Sequence, residues 1–412
     1  MPAAAASHDR STQARIGAPD TGSPHRETAT EEAASDACAF ALITGRAGFD
    51  ALEAEWNDLF RRAGRGTQVF QAFNWNWHWC NHFLGADGDA KSLAIVTGRR
   101  NGRLVMVWPL VSERVAGLSQ LAWMGEPVSQ YGDVLVEGDD IVLLREAWSF
   151  IASELEPDLV RLRKVRDDAA AAPLLSELNA FPAERLEAPY LDLASAGDFA
   201  AYEQRYSPRS RRNRRRLARR FEERGAMAFE HCREGPRARE LTGLALGLKR
   251  EWLKERGLVS PALADPRMAL FFADVAEGTS RPSGCEVFAL TSNGEAAAIE
   301  ITLRCMDRIV MHVIVFNLKY EKAGAGVLLL EETIAQAFAS GARTFDLLAP
   351  GDGYKLDWAD AVTGVTDWVL PLSAKGWVFT RLYLGFARPA IKAGLGVLPM
   401  SLRRFVAARY VA

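Results

Sequence analysis

The sequence predicts an α/β protein (α+β in arrangement) made of two related halves, each a mixed central sheet flanked by helices. Three observations predict it. Two segments repeat one pattern of strand, Asn-Gly turn and strand: Leu93 to Leu110 around Asn101-Gly102, and Val287 to Leu303 around Asn293-Gly294. Asn-Gly favours positive φ at both turn positions, which suits a two-residue hairpin. Amphipathic helical patterns alternate with the strands, and a glycine-rich segment, Glu321-Lys322-Ala323-Gly324-Ala325-Gly326, separates a strand from a helix in the second half. At 412 residues, 49% hydrophobic and 25% charged, the chain has a globular composition and room for two or three domains.

Residues 1–37 are rich in Ala, Ser, Thr, Pro and Glu without periodic apolar positions. Such a segment cannot repay the entropy of ordering, so a disordered tail is expected there. The first domain, 38–194, opens with a strand from Ala39 to Thr44. A helix from Phe49 to Arg62 follows, with Leu52, Trp56 and Leu59 at helical spacing. Further strands are expected at Leu118 to Met124 and Tyr131 to Val136. The boundary falls between Leu193 and Ser207, where Ser207 as N-cap and Pro208 at the first helical position start a helix that runs to Arg224. The second domain, 195–375, continues with a strand (Met227 to His231), helices from Arg237 to Arg256 and from Pro266 to Glu277, the second hairpin, and a strand from Ile309 to Phe316. Past the glycines come a helix from Val327 to Ser340, with Val327, Leu330, Ile334 and Phe338 inward, and a strand from Thr344 to Leu348.

Net charge is −2 and excludes no partner. Ten arginines lie between Arg205 and Arg224; they mark either a solvated helix or a grip on phosphate, and without an RNA-binding motif beside them nucleic acid is not expected. From Trp368 to Ala412 there are seven basic residues and no acidic one, and Arg381, Arg388 and Lys392 share a helical face. The segment 376–412 is therefore expected either to touch an anionic membrane surface or to pack on the protein itself. Cys38, Cys80, Cys232, Cys285 and Cys305 are odd in number and without a CxxC pair, which points to a reducing cytosol rather than to disulfides or zinc. Neither a signal peptide nor a spanning helix is expected. His78 and His82 have a helical spacing able to hold a metal, but no acidic residue adjoins them; packing is preferred and no metal is expected.

Chemistry concentrates around the glycine segment. Glycines let a backbone approach a ligand closely, and unpaired N–H groups at a helix N-terminus attract anions. A strand, a glycine loop and a helix together fit a pyrophosphate cradle. The strand from Thr344 to Leu348, lying beside that from Ile309 to Phe316, would form a splayed pair that admits a pantetheine arm.

The loop resembles the acyl-CoA-binding loop of GNAT acyltransferases, whose pattern is Gln or Arg, two residues, Gly, one residue, Gly or Ala. Gly324 and Gly326 fall on it; Glu321 stands at the Gln or Arg position and departs from it. Phe345-Asp346 followed by Tyr354-Lys355 and Trp358 resembles the CelD-like branch of these proteins, associated with bacterial polysaccharide synthesis. So do the arginine-rich start of the second domain, Lys249-Arg250-Glu251-Trp252, and Phe70-Gln71-Ala72-Phe73-Asn74-Trp75. The resemblance spans residues 40–375 and extends to the Fem-type aminoacyltransferases, which are built of two GNAT-like halves.

The resemblance implies tandem GNAT-like domains and acetyl-CoA or another acyl-CoA as co-substrate, with no metal. It places the donor against Gly324, Ala325, Gly326 and Val327 and against the strand at Val313, Ile314 and Val315. Asp346, Tyr354 and Lys355 become catalytic candidates, with His312 and Glu300 as further candidates for a base. Each has a plainer reading: Asp346 braces a strand end, Tyr354 packs, Lys355 is a solvated charge, and His312 is a core histidine. After its strands the first half has only Trp123-Met124-Gly125-Glu126-Pro127 and no glycine loop, so it is expected to shape the acceptor cleft. The implied function is N- or O-acyl transfer to an acceptor such as a saccharide or nucleotide-linked sugar, in polysaccharide or envelope metabolism. Its setting would be the cytoplasm, peripheral to the inner membrane. Two alternatives stay open: an aminoacyl-tRNA-dependent enzyme of Fem type, and a non-catalytic accessory protein of a polysaccharide synthase.

Overall fold

A computed structural model describes residues 37–85, 91–258, 260–278, 283–388 and 390. The predicted tail, Ala37 apart, and the basic segment beyond Ala390 lie outside the described residues. The first half runs β1 (Ala39–Ile43), α1 (Arg46–Asp50), α2 (Glu53–Ala63), a 3-10 turn (Gly66–Gln71), α3 (Phe73–Phe83), β2 (Lys91–Leu93), β3 (Ile95–Arg100), β4 (Arg103–Trp108), β5 (Leu110–Val115), β6 (Leu118–Trp123), β7 (Leu135–Val136), α4 (Ile141–Leu155), β8 (Leu159–Arg166), α5 (Ala172–Glu177) and β9 (Phe181–Asp192). The second half continues with α6 (Phe199–Glu203), α7 (Pro208–Glu222), β10 (Met227–Cys232), α8 (Gly235–Glu255), α9 (Pro261–Ala264), α10 (Pro266–Glu277), β11 (Ser283–Ser292), β12 (Glu295–Cys305) and β13 (Arg308–Phe316). It ends with α11 (Ala325–Ala339), β14 (Thr344–Asp346), α12 (Gly353–Trp358), β15 (Ala361–Pro371), α13 (Ala374–Val378) and a π-helical turn (Phe379–Ala387).

Local chemistry accounts for many of the boundaries. Both Asn-Gly turns hold φ positive at their two residues: 51° and 76° at Asn101-Gly102, 52° and 81° at Asn293-Gly294. They close the β3–β4 and β11–β12 hairpins with the backbone twist such turns share with their strands. The Ser207 hydroxyl accepts from the Ser210 N–H at 3.1 Å and Pro208 stands at the first turn of α7. The helix expected from Phe49 to Arg62 is instead divided at Ala51-Leu52; the break lets Phe49 meet Trp56 edge-on and stack on Phe73, with centroids 4.8 Å apart in the second pair. The strand expected from Tyr131 to Val136 shrinks to β7. Buried Asp133 collects the N–H groups of Val134, Ala170 and Ala171, and this holds the segment off the ladder.

The strands make a four-stranded sheet, β1-β3-β4-β7, and an eleven-stranded sheet in the order β10-β11-β12-β13-β14-β9-β15-β8-β6-β5-β2. The larger sheet crosses from one half to the other, because β9 of the first half lies between β14 and β15 of the second. Helices α3, α8 and α10 bury their apolar sides on one face of β11–β13, against Val287, Ile299 and Ile301. Helices α7 and α11 cover the other face through Phe221, Leu328 and Leu329.

Candidate active site

The site begins where two parallel strands part. β13 and β14 pair only at Arg308↔Thr344, Ile309↔Phe345 and Val310↔Asp346. Immediately beyond, the β12–β13 register shifts: Ile301 opposes Val313 and Thr302 opposes Met311, leaving His312 as an extra residue. A bulge of this kind bends its strand and ends regular pairing, so the sheet opens from Met311 to Phe316. The first half holds the bulge in place. His312 Nε2–H donates to the Val128 carbonyl at 2.7 Å, and the ring packs against Phe70, Trp75 and Phe272 at 5.9, 6.1 and 4.8 Å. Burial drives the imidazole pKa down to about 4; it is neutral at physiological pH, and its Nδ1 has no hydrogen-bond partner among the described residues.

Into this opening runs a cleft of about 370 Å³. Its walls are Ile314, Val315 and Phe316 of β13; Gly324, Gly326, Val327 and Leu330 at the start of α11; Lys249 and Trp252 of α8; and Tyr354 and Trp358 of α12. Gly324 is the N-cap of α11 with φ 74°, and a Cβ there would lie 2.8 Å from Leu217 of α7. A Cβ on Gly326 would lie 3.2 Å from Phe316. Gly324 is thus required by its left-handed backbone and the close approach of α7, Gly326 keeps a tight contact with β13 open, and the first-turn N–H groups of α11 lie free of intrahelical partners beside the cleft. Glu321, in the departing position, accepts from Arg256, the C-cap of α8, at 2.7 Å. The Arg256 guanidinium stacks 4.2 Å over Trp252, so a cation stands at the mouth of the cleft although the loop itself supplies none there.

A second cavity, of about 530 Å³, adjoins the first and shares Lys249, Ile314, Asp352 and Tyr354 with it. Its floor comes from Met311, His312 and Val313, and its far wall from the first half through Pro127, Gln130, Arg163 and Lys164. Lys355 closes it: its Nζ donates to the carbonyls of Leu348 and Pro350, each at 3.1 Å. Burial lowers that ammonium's pKa to about 8. Asp352 is the N-cap of α12, yet its side chain makes no cap hydrogen bond; the carboxylate lines both cavities instead.

The residues singled out from sequence are thus divided. Tyr354 stands at the junction of the two cavities, while Lys355 and His312 line the second. Gly324, Gly326, Val327, Ile314 and Val315 line the first; Val313 lines the second, and the methyl of Ala325 is buried beneath the loop. Asp346 and Glu300 line neither, and both are fully buried. Asp346 accepts from Tyr131 OH at 2.8 Å and from the Leu348 N–H at 2.9 Å, and it pairs with Arg166 and Arg308 at 3.2 and 3.0 Å. This network ties β14 to the first half. Burial raises the Glu300 carboxyl pKa to about 8 against the opposing effect of the Thr333 hydroxyl, and neither carboxyl oxygen has a partner within full hydrogen-bond geometry among the described residues. Sequence reasoning passed over Asp352, Arg163 and Lys164. The unused N-cap of Asp352 has no sequence signal, but the basic run Arg161 to Arg166 was open to notice.

Residues 208–356 match the family described as acetyltransferase (GNAT) domain. No curated protein matches the chain. Among solved structures, that of FemX aligns with a TM-score of 0.57 at 10% identity, covering 84% of this chain and 100% of that one. A tandem GNAT protein from the clavulanic acid biosynthesis pathway aligns at 0.48 and 13% identity, covering 82% and 99%. At such identities the likeness is one of fold. Among the described residues no helix is long and apolar enough to cross a membrane. The glycine loop, the parted strands and much of the lining of the adjoining cavity lie inside residues 208–356, the segment that matches the acetyltransferase (GNAT) domain, and that match supports an acyltransferase.

Proposed function

We propose that the protein transfers a small acyl group, acetyl in the first instance, from CoA to an amine or hydroxyl acceptor in polysaccharide or envelope metabolism, in the cytoplasm. The observation that carries this reading is the adjacency of the two cavities at the parting of β13 and β14. The pyrophosphate of CoA sits on the first-turn N–H groups of α11, with Arg256 beside it, and the pantetheine arm runs between the strands. N–H groups on the open edge of β13 polarise the thioester carbonyl. The acceptor enters the second cavity and attacks that carbonyl, Asp352 takes its proton, and the CoA thiolate leaves. Tyr354, whose pKa burial raises above the ordinary phenol value, remains protonated and protonates the thiolate. Lys355 holds the Leu348 to Pro350 turn and positions α12.

Calorimetric titration with acetyl-CoA tests the donor. The natural protein is expected to bind saturably. Gly324→Val and Gly326→Val, which drive a branched side chain into Leu217 and Phe316, are expected to weaken binding at least tenfold. Failure of the natural protein to bind acetyl-CoA sinks the reading. A second reading, an aminoacyl-tRNA donor, draws support from α7, where Arg209, Arg212, Arg215 and Arg216 lie on the side away from the core. It requires no affinity for CoA, together with RNA binding that charge reversal at Arg212 and Arg215 abolishes.

A further inference from the structure

The second cavity is cationic in an unusual way. In β8, Val165 opposes Thr366 and Leu162 opposes Trp368, so Arg163 and Lys164 together face the single residue Asp367. Neighbours on a regular strand point to opposite faces; this bulge brings both side chains to one cavity. Asp367 fixes it, accepting from the Lys164 N–H at 2.9 Å and from Arg163 Nε at 3.2 Å. Lys164 has φ 56°, a left-handed backbone that disfavours any residue with a Cβ and that glycine would occupy freely. A lysine in that conformation marks the position as one where the side chain could matter more than the backbone it strains.

Arg163 is balanced by Asp367 and by Glu126, the latter at 3.3 Å. Lys164, Lys249 and Lys355 have no ion pair among the described residues. Lys164 Nζ donates to Gln130 at 2.5 Å and Lys249 Nζ to the Ile314 carbonyl at 3.4 Å. An ammonium has three N–H donors, so one on Lys355 and two on each of the others have no hydrogen-bond partner among the described residues, although the Lys249 ammonium also lies 4.7 Å over the Trp252 ring. Burial lowers the pKa of Lys164, like that of Lys355, to about 8. Asp352 is the one carboxylate in the cavity lining, while Glu126 and Asp367 act on Lys164 and Asp346 acts on Lys355 from behind it; with Arg163 beside them, the three ammonium groups leave the lining with an excess of positive charge that an anion would offset.

We infer that the acceptor carries an oxyanion, a carboxylate or a phosphate, and that Lys164, Lys249 and Lys355 seat it while the nucleophile lies toward Asp352. This names the substrate class of the site and rests on the acyl-transfer reading for the word acceptor; the anion seat itself stands on the cavity. The full chain is titrated calorimetrically with inorganic phosphate and separately with acetate, with and without saturating acetyl-CoA. At least one anion is expected to bind saturably in the millimolar range. Lys164→Gly, which relaxes the backbone, and Lys164→Asn, which tolerates it, should each weaken that binding tenfold or more, leave acetyl-CoA affinity within twofold, and keep or raise Tm. The anion more affected identifies which group the acceptor bears. No binding of either anion to the natural protein, or binding by both variants as tight as the natural protein's, overturns the inference. Absence of acetyl-CoA binding would instead count against the donor assignment, since the Lys164-dependent part of anion binding is measured without it as well.

Discussion

Three buried charges near the site behave differently because their partners differ. Asp346 is fully paired, so Asp346→Ala would leave Arg308 without its ion pair, Tyr131 OH without its acceptor and Arg166 with Asp168 alone, and it is expected to cost about 3 kcal/mol. Lost activity in that variant would report lost structure. Lys355 is held by carbonyls alone, and its pKa of about 8 lies below the ordinary lysine value of about 10.4. Between those pH values the unfolded chain binds more protons than the folded one, so this residue makes stability rise with pH and level off above the upper value. Glu300 has the opposite sign. Its carboxyl, lifted to about 8, keeps a proton in the fold that the unfolded chain releases from about pH 4.3 upward. Stability therefore falls as pH climbs through that window. Glu300→Gln removes the fall and is expected to add up to about 4 kcal/mol at pH 7.5 and almost nothing at pH 4.5. Urea unfolding at the two pH values checks this; a variant less stable at pH 7.5 would contradict it.

Elements place these residues, and α12 shows how. An aspartate at an N-cap ordinarily satisfies the N–H groups of the first turn and contributes about 1 kcal/mol. Asp352 does not do so, and it is free to face substrate. Asp352→Asn should therefore leave Tm within a degree or two yet lower kcat by a hundredfold or more, the usual scale of a lost general base; Tyr354→Phe should lower kcat with KM for acetyl-CoA little changed. A large drop in Tm for Asp352→Asn would return the residue to a structural role. Much at this scale was legible in the sequence, and the reason is local chemistry. Asp265 as N-cap and Pro266 place the start of α10, and the pattern carries it to Glu277 as predicted. The Asn-Gly pairs locate both hairpins, and the glycine loop locates one wall of the first cavity. What was not legible depends on register. The bulges at His312 and at Arg163-Lys164 leave no mark on a strand's own alternation, since each is defined only by the strand opposite. β9 carries Pro182, Pro189 and four charged residues, which disguise a strand buried between two others.

In the whole molecule, the boundary read near residue 194 divides the sequence but not the sheet. β14 takes β9 as its second neighbour through Thr344↔Asp192 and Asp346↔Tyr190. β15 has only β9 and β8 beside it, both from the first half. Those pairings join residues far apart along the chain, beyond any window in which periodicity is visible, and they bring Lys164 opposite Lys355 across one cavity. Each half thus completes the other's site. It follows that residues 195–412 alone should not reach the native fold: β15 would have no partner, Asp346 would lose Tyr131 and Arg166, and the His312 bulge would lose Val128. A piece beginning at residue 180 restores β9 and nothing else of the first half. Hydrogen exchange on the two pieces is expected to show β15 amides unprotected in the shorter and partly protected in the longer, with full protection only when residues 38–179 are supplied in trans. Equal protection of β15 in both pieces would mean that the second half folds by itself, and the second cavity would then have to be completed by docking rather than by a shared sheet.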